Sequence, residues 1–86
     1  MHTIELLEQA FDVARELGYE IRQEWLGGDT GGACHFGGKK WIFVDLSLNT
    51  LEQLDQVTDA LRGDPALYQV ELPAALRSMM SFPRAA

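Results

Sequence analysis

Ala33-Cys34-His35-Phe36-Gly37-Gly38-Lys39-Lys40-Trp41-Ile42-Phe43-Val44-Asp45-Leu46 is the stretch whose reading decides the fold. Gly37-Gly38 supplies the positive φ angles that a two-residue hairpin turn requires. The flanking segments, 33–36 and 39–46, then read as paired strands. The second is the more strand-like, with Trp41, Ile42, Phe43 and Val44 in sequence. A two-residue loop sets Phe36 opposite Lys39, His35 opposite Lys40 and Cys34 opposite Trp41. Opposed side chains point to the same side. One side therefore carries Ala33, His35, Ile42, Val44 and Leu46. The other carries Cys34, Phe36, Trp41 and Phe43. A slip of one residue would exchange the two sets.

Working outward, residues 3–17 read as a helix. Ile4, Leu7, Phe11 and Ala14 form its apolar stripe, with Thr3 as N-cap and Gly18 as stop. Residues 19–26 alternate as a strand wet on one side, with Tyr19, Ile21, Gln23 and Trp25 together and Glu20, Arg22, Glu24 and Leu26 opposite. Gly27 to Gly32 is a turn-rich connector. Thr50-Leu51-Glu52-Gln53 matches a capping box, followed by a helix over 51–62 with Leu51, Leu54, Val57, Thr58 and Leu61 on its stripe. Gly63 and Asp64-Pro65 end it. Residues 73–80 read as a short helix. The expectation is one α+β domain over 1–86, in the order α-β-β-β-α-α, with a three-stranded antiparallel sheet and both long helices on one sheet face.

The chain has 86 residues, 47% hydrophobic and 23% charged, which suits a folded domain and not a disordered one. Thirteen acidic side chains against seven Lys and Arg give a formal charge of -6. That balance repels nucleic-acid backbones and anionic membranes, so neither is expected as the partner. Cys34 is the single cysteine, which leaves no internal disulfide and suits a reducing compartment. No basic segment followed by an apolar run opens the chain, and Trp41 to Val44, its longest apolar run, is far short of a membrane span. A cytoplasmic location is the resulting expectation.

No catalytic signature stands in the sequence, and no cofactor is expected. Cys34-His35 suggests a thiolate–imidazole pair or half a metal site, but strand neighbours point to opposite faces. A zinc site also needs three or four ligands. His35 with Asp29 is the weak metal alternative. Without such chemistry, Cys34 is expected as a buried thiol and His35 as a half-buried imidazole. The glycine-rich connector opens onto a strand instead of a helix, so it reads as a flexible link and not as a phosphate cradle. Lys39 and Lys40 read as tip lysines that discourage aberrant pairing. Asp55 and Asp59, one helical turn apart, read as a solvated face, and Asp45 is a third carboxylate considered with them.

Gly31-Gly32-Ala33-Cys34, then Gly38 to Leu46, then a helix near Gln53 to Leu61, resembles a group of small uncharacterised bacterial proteins over residues 27–65. The resemblance implies a fold and no defined activity. The hairpin-then-helix order also resembles the core of IrrE-type zinc peptidases, whose helix carries His-Glu-x-x-His. The corresponding segment here is Val57-Thr58-Asp59-Ala60-Leu61, so that resemblance implies a site without its metal ligands.

Two helices over one sheet face leave Phe36, Trp41 and Phe43 bare on the other, with Cys34 beside them. Each such ring buries roughly 150–250 Å², so together they reach the few hundred Å² that a monomer tolerates. Cover by residues 66–82, a homodimer or another protein partner would resolve this. The leading expectation is a non-enzymatic, self-associating interaction or regulatory module. The alternatives are a small metal- or cysteine-dependent enzyme, and an acidic mimic that blocks a basic surface.

Overall fold

In the computed structural model, residues 2–28 and 31–80 are described. The elements run α1 (Thr3–Glu16), β1 (Tyr19–Glu24), β2 (Gly32–Phe36), β3 (Lys39–Asp45), α2 (Thr50–Arg62), a 3-10 helix (Pro65–Gln69) and α3 (Ala74–Met79). This is the expected α+β order, and the hairpin holds the expected register, with Cys34 opposite Trp41 and Phe36 opposite Lys39. Gly37 and Gly38 have φ of 62° and 75°, the pair of positive angles of a type I′ turn.

The sheet itself is mixed, which corrects the expectation of three antiparallel strands. Its order is β1-β3-β2, and β1 runs parallel to β3, with Tyr19 beside Lys40 and Ile21 beside Ile42. β1 and β2 do not pair with each other; β3 lies between them and pairs with both. The central place goes to the most apolar strand, and the charged alternation Glu20, Arg22, Glu24 goes to an edge.

Asp45, the last residue of β3, closes this crossover. Its side chain is fully buried and accepts from the N–H groups of Leu26 (2.9 Å), Gly28 (2.6 Å) and Ser47 (2.9 Å) and from the Ser47 hydroxyl (2.7 Å). Its own N–H donates to Gln56 Oε1 of α2 at 2.8 Å. Burial alone would push this carboxyl up, but four donors outweigh it and hold the group down at about 2. Asp45 is thus a structural pin and not a member of a surface carboxylate pair. The connector, expected as a flexible link, is tied at Leu26 and Gly28. A Cβ at Gly31 would displace the end of the Gln56 side chain and press on the Phe43 carbonyl at 3.2 Å, at a φ of 153°.

The core lies on one side of the sheet. Leu7, Ala10, Phe11, Val13 and Ala14 of α1 meet Leu54, Val57 and Leu61 of α2 over Tyr19, Ile42 and Val44. Leu67, Leu76 and Met80 complete the same cluster. Residues 66–80 therefore pack with the helices, which corrects the idea that they fold over the aromatic side; residues 81 and 82 lie outside the described residues. Two stripe positions are also corrected. Ile4 is 64% exposed and Leu51 56%, because each sits in the first turn of its helix, beyond the edge of the core. Both N-caps fall one residue earlier than expected. His2 caps α1, its N–H donating to Glu5 Oε1. Asn49 caps α2, with Asn49 Oδ1 accepting from Glu52 N–H and Glu52 Oε1 accepting from Asn49 N–H.

Lys40 is not a free tip lysine. It lies on the core side, its Nζ 4.4 Å from the centre of the Tyr19 ring, donating to the Leu17 carbonyl (2.8 Å) and Asp64 (3.0 Å). The Tyr19 hydroxyl donates to the same carboxylate at 2.9 Å. The Ala66 N–H bond, with Lys40 and Tyr19, holds Asp64 down at about 2. Burial and the bond to Asp64 push the Tyr19 phenol up to about 12.

Two outcomes follow from this packing. Leu54→Ala is expected to cost about 2–5 kcal/mol in urea denaturation, whereas Ile4→Ala and Leu51→Ala stay within about 0.5 kcal/mol; equal losses would place the stripes as the sequence alone suggested. Asp45 and Asp64 are held below the ordinary carboxylate value, so their contribution to stability is complete above pH 3.8 and is lost as pH falls through about 2. Urea midpoints should drop over that window, and the drop should shrink in Asp64→Asn. A flat midpoint would mean that neither carboxylate is held as described.

Candidate functional site: the uncovered side of the sheet

The alternation of β3 sends Ile42 and Val44 into the core and Trp41 and Phe43 outward. The hairpin register brings Phe36 alongside them. The three rings form a near-parallel stack. Phe36 and Trp41 lie 5.3 Å apart at 10°, Trp41 and Phe43 6.2 Å apart at 20°, and Phe36 and Phe43 6.5 Å apart at 11°. Phe36 is 53% exposed, while Trp41 and Phe43 are half-buried by one another and their neighbours. Arg22 and Lys39 flank the indole, at 5.9 and 6.0 Å from its centre. No described helix covers this stack. The sequence placed these rings on the bare side, and the structure puts them there together.

Cys34 shares that side but is exposed, which corrects the buried-thiol reading. The reason is its strand. β2 is an edge, with four of its five residues exposed. A cavity of about 360 Å³ opens beside it, lined by Glu24, Leu26, Gly32, Cys34 and Phe43 among others. His35 is exposed on the opposite side, its ring edge-on to Tyr19 at 6.5 Å. The imidazole therefore does not stand next to the thiol. Asp29 lies outside the described residues. Among the described residues, no three His, Cys, Asp or Glu side chains are grouped so as to hold a metal ion. Asp59 is exposed and pairs with Arg62 at 3.0 Å, and Asp55 is also exposed. In Val57-Thr58-Asp59-Ala60-Leu61, Val57, Thr58 and Leu61 face the core, and the Thr58 hydroxyl donates to the Leu54 carbonyl at 3.0 Å.

Trp25, expected on the core side of its strand, is 75% exposed because β1 ends at Glu24 and the chain turns away into the crossover. Among the described residues no helix is long and apolar enough to cross a membrane. Chemically, the uncovered side offers apolar and cation–π contact and one accessible thiol, with the neighbouring imidazole of His35 directed to the other side.

An exposed Cys34 should react with Ellman's reagent in the folded protein at a rate within about tenfold of the urea-unfolded chain. Protection by several orders of magnitude would return the thiol to the interior. No family model, curated protein or solved structure matches this chain.

Proposed function

We propose that this protein is a non-enzymatic, self-associating module in which the aromatic sheet side of one copy adjoins that of a second copy of the chain. The observation that carries this reading is the stacked Phe36–Trp41–Phe43 cluster, which no described helix covers, while residues 66–80 place their apolar side chains on the helix side. A cluster of large rings around an exposed Phe is the composition of an interface centre. Charge fits as well. The β2 strand, from Gly32 to Phe36, holds no acidic side chain, although the chain carries a net -6. Two copies can meet there without opposing the bulk of their negative charge.

Sedimentation equilibrium at micromolar concentration tests this. The expected species is twice 9.6 kDa, and Phe36→Glu should return it to a single chain with unchanged circular dichroism. A single-chain mass for the unaltered protein up to about 100 μM would overturn the proposal.

A further inference from the structure

Resting on that reading, the geometry points to how two copies meet: β2 pairs antiparallel with β2 of the second copy, with Cys34 on the two-fold axis. The sheet has two edges, and they differ. β1 carries Glu20, Arg22 and Glu24, the charged side chains that keep an edge from pairing. The sequence of β2 is Gly32-Ala33-Cys34-His35-Phe36, with no Lys, Arg, Asp, Glu or Pro. It forms the other margin, where no described strand pairs with it.

The side-chain sizes of β2 are self-complementary about its centre. An antiparallel pairing centred on Cys34 sets Phe36 opposite Gly32 of the second copy, His35 opposite Ala33, and Cys34 opposite Cys34. Each large residue meets a small one, and each pair points to one side. Phe36 then lies over a glycine beside Phe43 of the second copy, because Gly32 pairs with Phe43 in the hairpin. The two ring stacks become one continuous strip.

The backbone agrees with this register. A type I′ turn closes on a bond between its first and fourth residues, so Phe36 directs its backbone groups at β3. By alternation, so do Cys34 and Gly32, and the N–H and C=O groups of Ala33 and His35 face the open edge. Those two residues would form the hydrogen-bonded pairs. Cys34 would fall at a non-bonded pair, where Cα atoms approach to about 4.5 Å, within disulfide reach.

Charge separates cleanly in this arrangement. The resulting strand order is β1-β3-β2-β2-β3-β1. It holds the Glu20 and Glu24 rows of the two copies five strand spacings apart, roughly 24 Å, beyond two Debye lengths in physiological salt. Five residues of pairing bury less than the roughly 1,200 Å² of a standard interface. The dimer is accordingly reversible and dissolves on dilution.

Diamide crosslinking reads the register. Two thiols lose their hydrogens to the diazene, which becomes the hydrazine, and one disulfide forms. The native chain should yield covalent dimer at least about tenfold faster than a Cys34→Ser chain carrying Ala33→Cys, since position 33 faces the other side and lies two residues from its mate. Ala33→Pro, which removes an edge-facing N–H, should abolish the difference. Equal crosslinking rates, together with a dimer mass in sedimentation, would overturn the edge register and leave self-association standing. A single-chain mass throughout would sink both.

Discussion

The buried carboxylate of Asp45 is the interaction on which this architecture depends. A chain that leaves β1 and skips a strand position needs something to hold its crossover against the sheet end. Asp45 does so by accepting from Leu26 and Gly28 on one flank and Ser47 on the other. Its backbone N–H reaches Gln56 of α2, so one residue ties the crossover, the end of β3 and the second helix. Hydrogen bonds to a charged acceptor are the strong kind, and its loss would take the acceptor from the Leu26, Gly28 and Ser47 donors at once. With the crossover fixed, β3 is central, β2 becomes an edge, and the ring stack faces away from both helices.

The hairpin was legible in the sequence because its turn chemistry and its alternation agree. Gly37-Gly38 dictates the loop length, the loop length dictates the register, and the register divides Ile42 and Val44 from Trp41 and Phe43. The stripes of α1 and α2 were legible for the same reason, except at their first turns. Strand order was not legible. Periodicity reports which way a side chain points and says nothing of which strand lies alongside. The clue was present in Asp45 itself, an acid closing an apolar strand and followed by a Ser two residues on, but an acid at a strand end reads first as solvent-exposed.

The candidate site divides in the same manner. Phe36, Trp41 and Phe43 were found by alternation alone. The accessibility of Cys34 was missed because it depends on β2 being an edge, which is a fact of topology. Lys40 was misread for a related reason. Its neighbours, Tyr19 at the start of β1 and the Leu17 carbonyl at the end of α1, lie beside it only through the parallel pairing. Once β1 lies beside β3, a lysine next to the hairpin turn becomes part of a network with Tyr19 and Asp64 that fastens the 3-10 helix to the sheet.

The most direct test of the whole account is amide hydrogen exchange of the native chain at low and high micromolar concentration. If the unguarded margin of the sheet is where two copies meet, the Ala33 and His35 amides slow markedly as concentration rises, while those of β1 keep their rates. Exchange at Ala33 and His35 that is fast and indifferent to concentration would contradict the account.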